Sequence, residues 1–294
     1  MSDFVKQVGC NNSFEGDAAW VILSPIEQSI KQKIEAVGTP LKDWDIQINY
    51  GIKTGCNEAF IISTEKRDEI LANCQTEEER KRTEELIRPI LRGRDIKRYG
   101  YNWANLWLIN SHNGIRGKLE RIHIEDYPAV KEHLDQYWDK ISKRADKGDT
   151  PYNLRNCAYL EDFSKPKVMW KIIGCNINFS FDETNKVCNN AVDIMTGKRN
   201  QLLQFVGLMN SKLFDWYLKL TTEAEVQGGG IQLYVTTLEK TLLKLDFPNN
   251  LNEVTEQRLN GLVSDEDVDK TIYSLYNLTK EEIDFIHFCK QVNR

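Results

Sequence analysis

The sequence predicts an α+β fold, with mixed or antiparallel sheets, flanking helices and a helical C-terminal tail. Apolar residues recur at every second position in some segments and at every third or fourth position in others, which indicates both strands and helices. The two kinds of segment follow one another without a regular β-α-β rhythm, which argues against a doubly wound sheet. The chain has 294 residues, of which 40% are hydrophobic, and this suffices for one large domain or two smaller ones.

The first helix is predicted at residues 24–37. Ser24 can cap it, Pro25 suits the first helical position, and Glu27 can complete a capping box. The other predicted elements are, in chain order, strands at 44–50 and 59–62, a charged helical segment at 65–91, a strand at 106–109, a helix at 129–145, strands at 167–173, 178–181 and 191–195, a helix at 202–218, short strands at 233–235 and 242–245, and a helical tail at 252–292 with breaks near Gly261 and Asn277. The tryptophans predicted to be core residues are Trp107, Trp138, Trp170 and Trp216.

Composition limits the compartment and the metal chemistry. No apolar run approaches the ~20 residues that a membrane helix needs, and the first residues lack the order of a secretion signal. The seven cysteines form no Cys-x-x-Cys pair, and the four histidines form no His-x-x-x-His pair. We therefore expect a cytoplasmic protein with reduced thiols and no metal site.

The charge is unevenly distributed along the chain. The net charge is −5, yet residues 80–171 carry 20 lysines and arginines against 13 aspartates and glutamates. An acidic chain with a basic middle can present a phosphate-binding face. On charge alone an ordinary solvated surface is the favoured interpretation, so charge does not establish a nucleic-acid partner.

Several catalytic signatures are absent from the sequence. It contains no Pro-Pro pair and no Gly-x-Gly after a predicted strand, as a base methyltransferase would need. It also lacks a Gly-x-x-x-x-Gly-Lys loop and a Gly-x-Ser-x-Gly elbow. The nearest approach to a nuclease motif, Glu79-Arg80-Lys81, lies in a charged helical run and is interpreted as a solvated face. We expect no catalytic residue in this chain.

A set of phrases, taken in order, points to one family. They are Gly38-Thr39-Pro40-Leu41-Lys42-Asp43-Trp44, Gly51-Ile52-Lys53-Thr54-Gly55, Pro89-Ile90-Leu91-Arg92-Gly93-Arg94-Asp95-Ile96-Lys97-Arg98-Tyr99, Arg144-Ala145-Asp146-Lys147-Gly148, Tyr152-Asn153-Leu154-Arg155, Phe163-Ser164-Lys165-Pro166-Lys167-Val168-Met169-Trp170 and Leu208-Met209-Asn210-Ser211-Lys212. From about Trp20 to its end, the chain resembles the TaqI-like C-terminal specificity region of type IIG, Eco57I-like restriction-modification enzymes. Those enzymes join a nuclease, an adenine methyltransferase and a specificity domain in one polypeptide.

The resemblance implies a sequence-specific double-stranded DNA recognition domain. It would position DNA for catalytic domains of an adenine-N6 methyltransferase and endonuclease that this chain lacks. S-adenosylmethionine and magnesium would belong to that parent enzyme. The implied organisation is a linker and helix from the methyltransferase at 1–43, the recognition domain at 44–248 and a C-terminal helical segment at 249–294. The alternative is a protein-contact module, a scaffold of a phage-defence methyltransferase.

DNA recognition needs cations for the phosphates and other groups for the base edges. The candidate DNA-binding residues are Lys53, Thr54, Arg92, Arg94, Lys97, Arg98, Arg116, Lys118, Arg144, Lys147, Arg155, Lys165 and Lys171. Two interpretations stay open at this point. Arg94 and Asp95 can pin a turn to the core instead of meeting DNA, and Gly51 and Gly55 can form a tight hairpin instead of allowing close approach to a partner.

Overall fold

The structure is a computed structural model that describes residues 23–221, 225–226, 230–244 and 250–292. These residues form two compact units, each assembled from separate stretches of chain. The helical unit comprises Met1–Trp44, Gly207–Glu223 and Val235–Arg294. The sheet unit comprises Asp45–Val206 and Ala224–Tyr234. The linear division at residues 43 and 248 stays a prediction, and the predicted N-terminal linker lies largely outside the described residues.

Helices occur in both units. They are α1 (Pro25–Glu35), α2 (Asn57–Phe60), α3 (Thr64–Ala72), α4 (Glu77–Leu86), α5 (Pro128–Asp135), α6 (Trp138–Ile141), α7 (Arg199–Asn210), α8 (Lys212–Thr221), α9 (Val235–Lys240), α10 (Asn250–Leu259), α11 (Asp265–Leu275) and α12 (Lys280–Val292). Short 3-10 turns lie at Leu41–Asp43, Gly93–Asp95, Ile124–Asp126 and Leu160–Ser164.

The strands are short, with two to six residues each. They are β1 (Thr39–Pro40), β2 (Ile46–Tyr50), β3 (Ile61–Ser63), β4 (Ile87–Leu91), β5 (Leu106–Ile109), β6 (Lys167–Lys171), β7 (Ile173–Gly174), β8 (Phe179–Asp182), β9 (Val187–Cys188), β10 (Val192–Gly197), β11 (Glu225–Val226), β12 (Gly230–Gln232) and β13 (Leu242–Leu243). The sheet unit holds an antiparallel sheet in the order β2-β10-β6-β8, a mixed sheet β3-β5-β4-β9 and a three-stranded sheet β11-β12-β7. The α+β prediction is confirmed.

The antiparallel sheet β2-β10-β6-β8 is covered on both faces. Alternation along β6 sends Met169 into the large core of the sheet unit, where it belongs to the same cluster as Phe60 and Leu108. The next residue, Trp170, is fully buried on the opposite face. Its ring centroid lies 5.7 Å from that of Phe179 and 6.4 Å from that of Phe205 on α7. Packing on both faces fixes the register and therefore the positions of the strand ends.

The helices at both ends of the described part of the chain begin and break where the sequence predicts. The Ser24 hydroxyl accepts from the N–H of Glu27, and the Glu27 carboxylate accepts from the N–H of Ser24 at 2.8 Å, so the predicted capping box is confirmed. The helical tail is also confirmed, as α10, α11 and α12. Its breaks lie near Gly261 and Asn277, and both residues have positive φ.

The predicted helical segment at 65–91 is wrong at its C-terminal end. Helices α3 and α4 fill its first part, but Ile87–Leu91 is strand β4, which pairs with β5. Pro89 explains the change, because a proline disfavours the helical conformation of the residue before it and cannot donate a helical hydrogen bond.

Glu79 does not lie on a solvated face. It is 3% exposed, and its carboxylate accepts from the N–H groups of Ala129 at 3.0 Å and Gln75 at 2.8 Å. The bond from Ala129 joins α4 to the start of α5, and the bond from Gln75 holds the segment that leads into α4.

Two tertiary details also correct the sequence interpretation. Trp138 is 44% exposed instead of buried, while Trp170 is in the core as predicted. The predicted helix at 129–145 is broken into α5 and α6, yet its apolar face, with Val130, Leu134 and Ile141, is fully buried. Trp138 lies off that face, and the helical periodicity of the segment contained this information.

Candidate nucleic-acid interface

One end of the sheet β2-β10-β6-β8 collects basic residues from separate segments. Lys171 ends β6 and pairs with Val192 at the start of β10. Gly51, directly after β2, donates its N–H to the carbonyl of Val192 at 2.8 Å, so Lys53 leaves the sheet at the same end. β8 is antiparallel to β6, and its first residue, Phe179, lies here too. Three strand spacings of ~4.8 Å make this end about 14 Å wide.

The 3-10 turn Gly93–Asp95 has its own internal framework. The carboxylate of Asp95 accepts from the backbone N–H of Arg92 at 2.9 Å and from its guanidinium at 2.9 and 3.0 Å. Asp95 is buried, so Arg92 neutralises it inside the protein. The ammonium of Lys97 donates to the carbonyl of Arg94 at 2.8 Å. The Arg94 side chain is exposed and has no partner among the residues that the structure describes.

This turn is seated directly on the strand ends. A Cβ at Gly93 would come within 3.3 Å of the carbonyl oxygen of Ala191 and 3.5 Å of the Cβ of Lys171. The Lys171 side chain lies over Gly174 and likewise has no partner within the described part of the chain. The geometry therefore brings the predicted residues Arg94, Lys97 and Lys171 together.

A second basic group surrounds Asp146. Its carboxylate binds Lys53 at 2.9 Å and Arg155 at 3.2 Å. The hydrogen bond from the Lys53 ammonium lowers the pKa of Asp146 below its ordinary value. Lys53 and Arg155 are 42% and 52% exposed, so two cations facing one carboxylate leave a positive excess here.

Arg144 lies beneath this group and holds its loops. Its guanidinium donates to the backbone carbonyls of Thr54, Asp146, Pro151 and Asn153. The side chain is 7% exposed, and burial lowers its pKa to about 10. Thr54 is 2% exposed. Because these groups bind within the protein, we leave Arg144 and Thr54 out of the interface proposed below.

The turn between β9 and β10 connects the two basic groups. The N–H of Asn190 donates to the carbonyl of Ile52 at 3.1 Å, and Gly51 approaches the carbonyl of Asn189 so closely that a Cβ would overlap it. The close approach permitted by Gly51 is therefore made to this protein's own backbone. Sequence reasoning missed the exposed Asn190, although an Asn-Asn pair between two strands is a turn signal.

We name this region the strand-end surface. Its members are Lys53, Arg94, Lys97, Arg155, Lys171 and Asn190. Segments 171–178 and 189–191 contain no acidic residue, and Asp95 is buried against Arg92. The surface is therefore positive although the chain as a whole is acidic.

A third group lies on the hairpin at residues 113–121. Arg116 and Lys118 are exposed on it and line an open cleft of about 890 Å³. Asn113 anchors the hairpin, since its amide donates to Asp149 at 3.0 Å. Lys147, in the loop before Asp149, is exposed, and its ammonium donates to a backbone carbonyl. The hairpin thus borders the loop that carries Arg155 but is not part of the strand-end surface.

Two candidates are not counted in the strand-end surface. Lys165 precedes β6 and binds Asp162 at 2.7 Å, at the opposite end of the strand from Lys171. β6 runs from Lys167 to Lys171, so its length alone separates the two lysines by roughly 13 Å at ~3.3 Å per residue. Arg98 is half-buried, and its guanidinium lies 5.8 Å from the Tyr99 ring centroid.

Searches for a metal centre and a membrane span gave negative results within the described segments. No group of three or more histidines, cysteines or acidic residues is placed to hold a metal ion there. No helix among these segments combines the length and the apolar character that crossing a bilayer requires.

Comparisons with known proteins add a family and a fold. A sequence profile described as the TaqI-like C-terminal specificity domain matches residues 88–241. Among solved structures, a type IIL restriction-modification enzyme, MmeI in complex with DNA, is similar at a TM-score of 0.56 and 14% identity, over 87% of this chain and 36% of that one. The type IIG restriction endonuclease BpuSI gives a TM-score of 0.48 and 13% identity, over 81% of this chain and 28% of that one.

No curated protein sequence matches the chain. The chain spans about a third of the length of the two restriction enzymes. The likeness to MmeI concerns the fold. The profile match over residues 88–241 includes the 3-10 turn Gly93–Asp95, the hairpin at residues 113–121, β6 and the turn before β10.

Proposed function

The chain belongs to the family of TaqI-like C-terminal specificity domains, and from this premise we propose that it binds double-stranded DNA and selects a target sequence through the strand-end surface. The observation that carries the proposal is the convergence of five cations from four separate segments on one end of a rigid sheet. Phosphate contacts fix the register of a protein on DNA, and groups between them meet the bases.

The dimensions of the surface support the proposal. The strand ends span about 14 Å, which compares with a major groove about 12 Å wide. Lys53 lies at the β2 edge, and Tyr99, two residues after Lys97, donates to the carbonyl of Phe179 at the β8 edge. Lys53 therefore lies to one side of Arg94 and Asn190, and the segment that carries Lys97 reaches the opposite edge. This arrangement places positive charge where phosphates border a groove.

Further domains of the same polypeptide would perform the chemistry. We propose that the parent is a cytoplasmic restriction-modification enzyme with adenine-N6 methyltransferase and endonuclease activities. MmeI, which shares the fold, is a type IIL restriction-modification enzyme with a structure in complex with DNA. S-adenosylmethionine and magnesium are assigned to those domains alone, and no step of recognition involves them.

Selection from random DNA tests the function directly. The chain is immobilised, exposed to randomised duplexes at low salt, and the retained duplexes are sequenced. A short asymmetric motif is expected. Salt-sensitive retention without a motif would contradict sequence selection and leave a non-specific clamp.

A second candidate is a protein-contact module. Leu262 and Phe288 in the helical unit are 74% and 62% exposed, and exposed apolar side chains of this size occur at protein interfaces. Failure of a folded sample to retain any duplex at low salt would favour this function over DNA recognition.

A further inference from the structure

Arg94 and Lys97 lie in and just after the same short turn, but they have different roles in its structure. The turn that carries Arg94 is held by the Arg92–Asp95 fork at 2.9 to 3.0 Å and by the contact of Gly93 with the strand ends. The Lys97 ammonium is itself one of the supports, because it donates to the Arg94 carbonyl at 2.8 Å.

A rigid backbone below an exposed arginine favours directional recognition. Anchoring the turn in the free protein lowers the ordering entropy that binding must overcome. The planar guanidinium presents paired donors, and its commonest specific contact in DNA is with O6 and N7 of guanine. An ammonium acts as a point charge, which suits a phosphate.

The position of Arg94 also separates it from Lys53. Gly93 touches Ala191 before β10 and Lys171 at the end of β6, and these are the two inner strands of the sheet. Lys53 follows the outer strand β2. Phosphates border a groove and base edges lie at its centre, so a central arginine faces bases while outer cations face phosphates.

Resting on the proposed function, we infer that Arg94 is a specificity-determining residue that reads one guanine in the major groove, with Arg92 and Asp95 as its positioning residues. Lys97, three residues away in the same turn, contacts the DNA backbone and carries no sequence information. Lys53, which follows the outer strand β2, acts in the same way as Lys97. Lys171 ends an inner strand, but its ammonium lies over Gly174 and, as a point charge, suits a phosphate.

The first test compares Arg94→Ala with Lys97→Ala in selection from random duplexes. Arg94→Ala should reduce the preference for guanine at one motif position by about 5- to 150-fold and leave the other positions unchanged. Lys97→Ala should retain the motif and weaken binding to all sequences alike. Arg94→Lys keeps the charge, and it should lose the guanine preference as Arg94→Ala does.

A second test uses 7-deazaguanine at that position, because this base lacks the N7 acceptor. The substitution should weaken wild-type binding and have little effect on Arg94→Ala, since both changes remove the same contact. Equal weakening of the two proteins would overturn the inference. Unfolding temperatures of the variants establish that each remains folded.

The outcomes separate the inference from the function. A wild-type motif that persists at every position in Arg94→Ala overturns the inference and leaves DNA recognition intact. Absence of any motif for the wild type overturns the proposed sequence selection and the inference with it.

Discussion

At the residue scale, the two lysines of β6 show how position decides what a charge does. Lys167 is fully buried and binds Asp182 at 2.6 Å and the carbonyl of Thr184 at 2.7 Å. Lys171, at the other end of the strand, is half-buried and has no partner among the described residues. The first lysine neutralises a core carboxylate, whereas the second contributes charge to the strand-end surface. Their local sequences do not distinguish them.

Arg144 provides the first residue-scale prediction. Arg144→Ala should lower the free energy of unfolding by about 3 kcal/mol, because four buried or half-buried carbonyls lose a charged donor. Arg144→Lys should also destabilise the protein, since an ammonium cannot reach all four acceptors. Urea unfolding followed by tryptophan fluorescence measures both effects.

Lys147→Ala is the control, as an exposed change in the same loop with an expected effect within about 0.5 kcal/mol. Wild-type stability in Arg144→Ala would show that the hydrogen bonds of this guanidinium do not hold the loop.

Asp193 provides a pH-dependent prediction. It is 3% exposed on β10, and burial raises its pKa from 3.8 to about 6. The folded protein then binds this proton more tightly than the unfolded chain, so the contribution of Asp193 to stability is lost as the pH rises from about 4 to about 6. Asp193→Asn should be more stable than the wild type near neutral pH, by about 1–3 kcal/mol.

The test is a series of urea unfolding curves between about pH 4 and pH 8. The advantage of Asp193→Asn should become small at the acidic end, where the folded carboxyl is protonated and the unfolded one, with its pKa of 3.8, is about half protonated. A constant difference between the two proteins across this range would refute the assignment.

At the element scale, turns place the candidate site. The 3-10 turn Gly93–Asp95 and the turn between β9 and β10 meet at Gly93 and Ala191. Of the strands near these turns, β5 was predicted correctly and β6, β8 and β10 closely, because strand alternation is visible in a single chain. β4 was predicted as helix, and β9 was not predicted. The contact between the two turns was not predicted either, because it joins residues that are nearly a hundred positions apart in the sequence.

Gly51 gives a prediction at this scale. Gly51→Ala should destabilise the sheet unit by about 1–3 kcal/mol, because the new methyl group overlaps the carbonyl of Asn189. It should also weaken DNA binding by displacing the turn that carries Asn190. Thermal unfolding and DNA titration provide the two readouts.

Gly100→Ala is the matched control. A Cβ at Gly100 meets no atom within 4 Å, and its φ is not positive, so the substitution should be neutral or slightly stabilising. Equal effects at the two glycines would contradict the packing argument.

At the scale of the whole molecule, the net charge of the chain and the local charge of the surface proposed to bind DNA are separate quantities. The chain carries −5, yet the strand-end surface is positive because the acidic residues next to it, Asp95 and Asp146, are buried or paired. Counterion release depends on the local cations that meet phosphates and not on the total.

Salt dependence therefore tests the surface as a unit. If about four of its cations contact phosphates, the logarithm of the binding constant should fall with the logarithm of salt concentration with a slope of about −4. Lys171→Ala should reduce that slope by about 1. Fluorescence anisotropy with a fixed duplex gives the slopes.

Lys165→Ala removes the same charge at the opposite end of β6 and should leave the slope unchanged. Identical slopes for Lys171→Ala and the wild type, or an equal change in Lys165→Ala, would place the DNA on another face.

The sequence by itself determined the fold class, the capped first helix, the broken helical tail and the family. Each depends on local periodicity, capping chemistry or an ordered set of phrases. Tertiary structure alone decided which of thirteen candidate residues share a surface. Arg144 and Lys171 look alike along the chain, but packing buries one against four carbonyls and leaves the other at a strand end. Burial and hydrogen bonding arise between distant segments, so the chemistry of a charge is settled only when those segments meet.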